Sequence, residues 1–416
     1  MTRVRELSPR PLMMHAPPEH SRLVAGLMSG TSIDGIDAIV AKLSGSGRAM
    51  QIDQKAFVCV PFPPALRDLL MELAHAERCS VTLLSQANVR LAHAYAHTVR
   101  VAADAAGLAP GALDLVGSHG QTVCHAPLST PCAGVTIRST LQIGDPSVLA
   151  NVLGTPVVGD FRLADMALGG QGAPLVPYFD YIRFADDTET RGLLNLGGIA
   201  NLTVLPAGAG MEAVHAFDTG PGNMVLDGLA MRLFGSPFDA CGNIARAGSP
   251  NADLLGRMLK DPYFAAGPPK STGRRYFGKD YANRLLAWGE HLPAEDLMAT
   301  AAMLTVRSVH QAYTQFLAED HPLDAMLLSG GGRHNAFLVQ QLRRAFDPVP
   351  VRMLHAYGVD PDAKEALCFA VLAHETMNGV PTNLPSVTGA SQPTLLGKIC
   401  LPLLTTTHGS NRHTSG

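Results

Sequence analysis

Three stretches of the chain collect glycines, small hydroxyl or amide donors and carboxylates at the ends of apolar runs. Residues 26–38 read GLMSGTSIDGIDA and bring together Gly30, Thr31, Ser32, Asp34, Gly35 and Asp37. Residues 192–205, GLLNLGGIANLTVL, repeat the plan with Gly197, Gly198 and Asn201. Residues 324–342, DAMLLSGGGRHNAFLVQQL, set Gly330, Gly331 and Gly332 between an apolar run and a helical pattern. Glycine allows positive φ and close backbone approach, and successive N–H groups in such turns form nests for anions. The ligand that suits two such turns facing each other is a polyphosphate, with GGGRHN receiving a nucleoside at a helix start. Each turn taken alone is equally a tight hairpin.

Phosphoryl transfer also needs a cation near the phosphates and a base near the nucleophile. Asp34 is the better placed of the first two acids to reach a magnesium-bound water. Asp218, in FDTGPGN (217–223), stands at a strand end before a tight turn, where carboxylates of α/β sheets point into clefts; a helix cap near Gly222 is the competing reading. Polar, glycine-rich stretches fill the middle of the chain. GSHGQTVCHAP holds His119, QIGDPSVLAN holds Gln142, GDFRLADMALGGQGAPLVPYFD holds Arg162 and Gln171, and PPKSTGRRYF holds Lys270, Ser271 and Thr272. Loops of this kind bind polyhydroxylated ligands, and an arginine among them suits a carboxylate. No P-loop, dinucleotide fingerprint, G-x-S-x-G or H-E-x-x-H pattern is present, which removes the chemistries those motifs serve.

The elements that must position these residues alternate strand and helix, giving an α/β chain in two blocks that each begin with strands. A helix capped at Ser80 runs through Val99, and further helices are expected near 222–233, 295–319, 335–346 and 363–379. With 416 residues, the chain has room for two to three units of ~100–200 residues. Hydrophobic residues make up 46% and charged residues 16%, enough apolar content for a sizeable core. A net charge of −3 and pI near 6.6 carry no footprint for nucleic acid or a membrane surface. No apolar run of ~18 residues suggests a membrane span. The seven scattered cysteines fit free thiols in a reducing cytoplasm.

MSGTSIDGID, GSHGQT, QIGDP, DFRLADMALGGQGAPLVP, NLGGIANLT, FDTGPGN, PKSTGR, SGGG and KEALCFAVLAHE occur in this order over roughly residues 22–402. This set resembles the anhydro-N-acetylmuramic acid kinases of bacterial cell-wall recycling, members of the actin, Hsp70 and hexokinase-like superfamily. The resemblance implies a two-lobed α/β ATPase fold, with mixed sheets, flanking helices and a central cleft that closes on ATP and Mg2+. It implies a cytoplasmic homodimer acting on a small amino sugar. In the implied reaction, water opens the 1,6-anhydro ring and O6 takes the γ-phosphate; another sugar or carboxylate kinase of the superfamily is the alternative. Asp218 would be the base and Glu365, in KEALCFA, would orient sugar or water. Gly30, Thr31, Ser32, Asp34, Gly35 and Asp37, with Gly197, Gly198, Asn201 and Gly330 to Gly332, would hold ATP. Asp34 would also position magnesium, Arg162 would meet the lactyl carboxylate, and His119, Gln142 and Gln171 would line the sugar. Arg275 stands where the family commonly has Glu. The implied lobes are residues 21–155 with about 381–403, and residues 156–380. They are flanked by a disordered extension at 1–20 and a polar tail at 404–416.

Overall fold

The computed structural model describes residues 21–403 except 31, 77 and 110. The expected extension at 1–20, the tail at 404–416 and Thr31 lie outside the described residues. In chain order the strands are β1 (Arg22–Met28), β2 (Gly35–Ser44), β3 (Gln51–Pro61), β4 (Leu115–Ser118), β5 (Gln121–Cys132), β6 (Val135–Ile143) and β7 (Val157–Gly159). Then come β8 (Arg191–Leu196), β9 (Ile199–Leu205), β10 (His215–Pro221), β11 (Ala325–Ser329), β12 (Val351–Met353) and β13 (Lys398–Cys400).

Two sheets repeat one topology. The first runs β13-β7-β4-β1-β2-β3 and the second β10-β9-β8-β11-β12. In each, a hairpin extends into a third antiparallel strand on one side (β1-β2-β3; β8-β9-β10). On the other side two parallel strands follow (β4 and β7; β11 and β12). The hairpin loops, one with Gly30 and one with Gly197 and Gly198, therefore occupy equivalent places. This duplicated plan is the two-lobed α/β architecture expected from the sequence. The central strands are apolar along their whole length because both faces are covered: Val24, Ala25 and Leu27 of β1 and Leu193, Leu194 and Leu196 of β8 are all buried.

Helix Val81–Ala105 covers the outer face of the first sheet, and the Ser80 side chain accepts from the Leu83 N–H at its start. Helices Asn223–Phe234 and Ala294–Phe316 cover the outer face of the second. Between the sheets lie helices Lys364–Met377 and Val176–Phe184, in a core drawn from β1, β2 and β4 on one side and β8, β9 and β11 on the other.

The contact that sets this middle layer is between glycine and backbone. A Cβ on Gly26 would stand 2.0 Å from the Ala366 carbonyl oxygen, and one on Gly117 would stand 2.0 Å from that of Phe369. Gly26 and Gly117 are register partners on β1 and β4. Helix Lys364–Met377 thus rests with its main chain on a two-glycine groove, which places Glu365, in its first turn.

Two details differ from the sequence expectation. The division near residue 155 assigned 156–380 to the second lobe, yet β7 pairs with β4 in the first sheet, and helix Lys364–Met377 packs on Gly26 and Gly117 of that same sheet. The three buried residues of β7 complete the parallel edge. Secondly, residues 121–143 form a separate two-stranded ribbon, β5-β6, where the sequence suggested polar, glycine-rich loops. Much of the ribbon is exposed, and without a buried face its apolar residues do not alternate cleanly.

Gly26→Ala or Gly117→Ala should destabilise the protein by about 1–3 kcal/mol or more, because backbone rather than a flexible side chain must give way. Denaturant unfolding of each variant beside the parent measures this; a change within about 0.5 kcal/mol would refute the groove's role.

Candidate active site

The first hairpin loop is held from three sides. Ser29 Oγ lies 2.6 Å from the buried Tyr95 hydroxyl, Gln121 Nε2 donates to the Gly30 carbonyl at 3.2 Å, and Arg67 Nε donates to the Ile33 carbonyl at 3.1 Å. Ile33 takes φ of 53°, a conformation that strains a β-branched residue, and its side chain is buried. Asp34 is exposed; its Oδ1 accepts from Ser32 Oγ (2.9 Å) and the Gly35 N–H (3.0 Å). Asp37 is not in the loop but in β2, opposite Met28. Burial raises its carboxyl, against a hydrogen bond with Cys59 that lowers it, and the nearby Asp34 and Asp362 add to the rise.

In the second loop the carbonyls are used and the amides are not. The Asn223 N–H donates to the Gly197 carbonyl (2.8 Å), and those of Gly222 and Met224 donate to the Gly198 carbonyl (3.0 and 3.1 Å). The Gly197 and Gly198 N–H groups have no acceptor among the described residues, so an anion is their natural partner. The first N–H groups of helix Asn223–Phe234 are thereby satisfied, and Asp218 does not cap it. The third glycine run packs beside this loop. Gly330, with φ of 79°, sits where a Cβ would be 2.6 Å from Asn195 Oδ1 and 2.7 Å from the Leu196 carbonyl. The run forms a short 3-10 turn, and Asn335, not a glycine, caps the following helix by accepting from the Leu338 N–H. Arg333 grips both Asp362 oxygens at 2.9 and 2.7 Å and the Gly330 carbonyl at 3.2 Å.

A row of polar residues crosses four strands at this end of the second sheet: Ser329, Asn195, Asn201 and Asp218 are successive register partners. Asp218 is clamped by the segment after it. Its N–H donates to the Lys270 carbonyl (3.1 Å), its carbonyl accepts from the Tyr263 hydroxyl (2.7 Å), and its Oδ2 accepts from the Thr272 N–H (2.8 Å). Burial pushes the carboxyl up to about 7, against the lowering effects of the Thr272 hydrogen bond and Lys270. The Lys270 ammonium lies 4.8, 5.1 and 5.8 Å from the ring centres of Tyr263, Phe316 and Phe217 and donates to the Tyr263 carbonyl. Burial lowers it to about 8, although Asp218 opposes the shift.

On the first-sheet side a charged group surrounds Glu365. Burial raises the Glu365 carboxyl, with Lys364 and Arg162 pulling the other way and Asp37 and Asp180 adding to the rise. Lys364 pairs with buried Asp180 at 2.7 Å. Arg162 donates through Nε (3.1 Å) and Nη2 (2.8 Å) to His119 Nε2, and through Nη1 to the Gly172 carbonyl (2.7 Å). Burial lowers the guanidinium to about 10. His119 Nδ1 faces the Gly120 carbonyl at 2.8 Å, which can only accept. Its proton is therefore on Nδ1, and Nε2 is the acceptor for Arg162. Burial, then the charge of Arg162, hold this imidazole neutral. Buried Asp165 ties the same loop by accepting from the Gly172 N–H, Asn383 and Thr388.

The two sides meet through a few contacts. Gln171 Oε1 accepts from Ser271 Oγ at 3.0 Å, joining the Arg162 loop to the Asp218 clamp, and Arg333–Asp362 joins the third glycine run to the approach of helix Lys364–Met377. The structure thus groups Asp37, Glu365, Arg162 and His119, and separately Asn201, Asp218 and the second and third glycine turns. Among the described residues no hydrogen bond joins Asp218 to Glu365. Gln142 lies on the ribbon, bonded to Thr122 and Thr140. Buried side-chain atoms without a partner among the described residues include Ser118 Oγ, Gln121 Oε1, His125 Nε2, Gln142 Oε1 and Thr272 Oγ1, all in these segments. Buried polar atoms are ordinarily satisfied, so this concentration marks a place for a polar ligand.

Sequence reasoning did not single out Asn195, Asn223, Tyr263, Lys364, Asp180 or His125. Asn195 precedes the Gly-Gly pair by two residues, a signal that was available. The others become visible only through partners distant in sequence. No group of three or more His, Cys, Asp or Glu among the described residues is arranged to hold a metal, and no helix among them is long and apolar enough to cross a membrane.

The sequence profile of the anhydro-N-acetylmuramic acid kinases (AnmK) matches residues 22–402. A protein named anhydro-N-acetylmuramic acid kinase from Salinibacter ruber is 57% identical over 384 residues, covering 92% of this chain and 96% of its own. Proteins of that name from Gloeobacter violaceus and Caldanaerobacter subterraneus are 44% identical (91% of this chain, 98% of theirs) and 42% identical (92% and 98%). Among solved structures, a ROK hexokinase from Thermus thermophilus is 17% identical with a TM-score of 0.35, covering 85% of this chain and 98% of its own. With its duplicated sheets, its glycine turns and a match over nearly all the described residues, the chain belongs to the anhydro-N-acetylmuramic acid kinase family.

Proposed function

We propose that this chain uses ATP to open the 1,6-anhydro ring of anhydro-N-acetylmuramic acid and to phosphorylate O6, yielding N-acetylmuramic acid 6-phosphate and ADP in cell-wall sugar recycling. Family membership supports the reaction. The observation that supports the residue roles is Asp218, a half-buried carboxyl lifted to about 7 and fixed by the Thr272 N–H. A base is most effective with a proton affinity near the working pH.

In this reading Asp218 accepts a proton from the water that attacks C1. The C1–O6 bond breaks with its electron pair going to O6, and O6 takes the phosphoryl group as the β–γ bridging oxygen leaves with ADP. The proton passes from Asp218 to solvent. Glu365 orients the sugar or the water, with Arg162 and Lys364 as its counter-charges. Two guanidinium N–H groups of Arg162 remain beyond those given to His119 and Gly172, enough to meet the lactyl carboxylate. The loops at Gly30 and at Gly197–Gly198 cradle the phosphates, while Gly330 to Gly332 face the adenosine. Mg2+ neutralises phosphate charge when bound. Such an ion takes few protein ligands and keeps several waters, which fits the single exposed Asp34, acting through water. The lobes divide at the two sheets. The setting proposed is the cytoplasm, and the assembly a homodimer.

Product analysis in heavy-oxygen water with ATP, magnesium and the anhydro-sugar should place heavy oxygen on C1 and phosphate on O6. ADP formation only with sugars bearing a free hydroxyl would move the assignment to another kinase of the fold. Asp218→Asn should keep ATP binding and lose ~10²–10⁴-fold in kcat; normal turnover would remove Asp218 from the role. Since the base form of Asp218 accumulates as pH rises, kcat/KM should climb through about pH 7. Lys270→Met removes a charge that lowers the Asp218 proton affinity, so that limb should move to higher pH.

A further inference from the structure

The polar face of the β5-β6 ribbon has a consistent hydrogen-bonding sense. Thr140 Oγ donates its one proton to the Cys124 carbonyl at 3.2 Å. It can then only accept, and it does so from Gln142 Nε2 at 2.8 Å. All three contacts are hydrogen bonds at once only when its second neighbour, His125 Nδ1 at 3.1 Å, is the protonated nitrogen. That leaves His125 Nε2 as a bare lone pair, buried and without a partner among the described residues. Burial, and then the charge of Arg162, push the imidazole down to about 4, so the lone pair is present at neutral pH.

The neighbouring amides point the same way. Gln142 Nε2 is committed to the Thr122 and Thr140 hydroxyl oxygens. Gln121 Nε2 faces two carbonyls, those of Gly30 and Thr122, which can only accept. The two carbonyls force the Gln121 orientation, and that of Gln142 follows from the Thr140 proton lying on the Cys124 carbonyl; both Oε1 atoms are buried without a partner among the described residues. The ribbon is fastened to the Arg162 loop by Arg138, which donates to the Gly170 carbonyl at 3.2 Å.

We propose that this face is an acceptor-only subsite, with His125 Nε2 as its specificity-determining atom and Gln142 beside it. It selects the sugar by its hydrogen-bond donors, a ring hydroxyl or an amide N–H. The inference rests on the reaction proposed above and adds how the sugar is distinguished from isosteric sugars lacking those donors. A site built to bond a donor rejects an analogue without it, because its own buried acceptors are then unpaired.

Two substitutions at one position separate this role from a structural one. Asn in place of His125 keeps a donor for Thr140 but loses the inward acceptor. Gln places an oxygen close to where Nε2 stood. His125→Asn should raise the KM for the anhydro-sugar about tenfold or more while leaving the KM for ATP within about twofold, and His125→Gln should recover much of the loss. Gln142→Leu, as a second variant, should raise the sugar KM in the same sense. Calorimetric titration of the sugar, and of an analogue methylated at the acetamido nitrogen, reads binding directly. A penalty for methylation in the parent that disappears in His125→Asn assigns the amide N–H. An equal penalty in both assigns a hydroxyl, provided His125→Asn has itself lost affinity. A folded His125→Asn with unchanged sugar KM and affinity would overturn the subsite while leaving the reaction standing; a parent protein that does not turn over the anhydro-sugar would overturn the reaction reading, and the subsite with it.

Discussion

The structure depends on the close approach of helix Lys364–Met377 to β1 and β4. Gly26 and Gly117, side by side in the sheet, remove the two Cβ atoms that would hold the helix away, and carbonyls of its main chain occupy the space. That one contact fixes the middle layer between the sheets, since the same helix is packed on its other side by residues of β8, β9 and β11. It also places Glu365 and Lys364 beside Asp180, Arg162 and Asp37. A rigid backbone contact suits this task better than side-chain packing, because main chain on main chain has no rotamers through which the helix could settle elsewhere.

The charged groups follow a common logic. Arg162, Glu365, Asp180 and Asp218 are all shifted toward their neutral forms by burial, and each has opposite charges nearby that limit the shift. An isolated buried charge would be very costly; a counter-charge close by limits that cost and the shift it drives. His119 shows the complementary case. Its neutral imidazole serves as an acceptor for Arg162 and orients the guanidinium without adding a charge. Asp218 and Lys270 form a second, looser pair in which aromatic rings rather than carboxylates surround the ammonium.

Duplication accounts for the placement of the glycine turns. Because both sheets share a five-strand order, to which the first adds β13 at its edge, both hairpin loops emerge at corresponding ends, and β11, parallel to β8, brings its glycine run against the second loop. The use of Gly197 and Gly198 carbonyls by the start of helix Asn223–Phe234 turns the loop's amides outward. In the proposed function an anion at this loop would meet the hairpin's own amides, while the helix start satisfies the carbonyls of the opposite face.

Much of the local structure, and the family, was legible in the residues alone. Local motifs such as the glycine turns at 30, 197 and 330, the strand-end Asp218 and the Ser80 cap depend on neighbours in sequence, and their order along the chain carried the family resemblance and the α/β plan. What lay beyond reach depended on partners far apart in the chain. The strand at 157–159 joins the first sheet because β4 offers it an edge, and helix 364–377 joins it because of two glycines more than two hundred residues away. Asp37 reads as part of a loop until its pairing with Met28 places it in a strand. His125, which sequence reasoning did not single out, acquires a defined tautomer only when the proton of Thr140, fifteen residues on, is committed to the Cys124 carbonyl. Sequence by itself determined which groups are available and which turns the backbone can make. Tertiary structure decided which of them are buried together, and burial sets their charge and hydrogen-bonding sense.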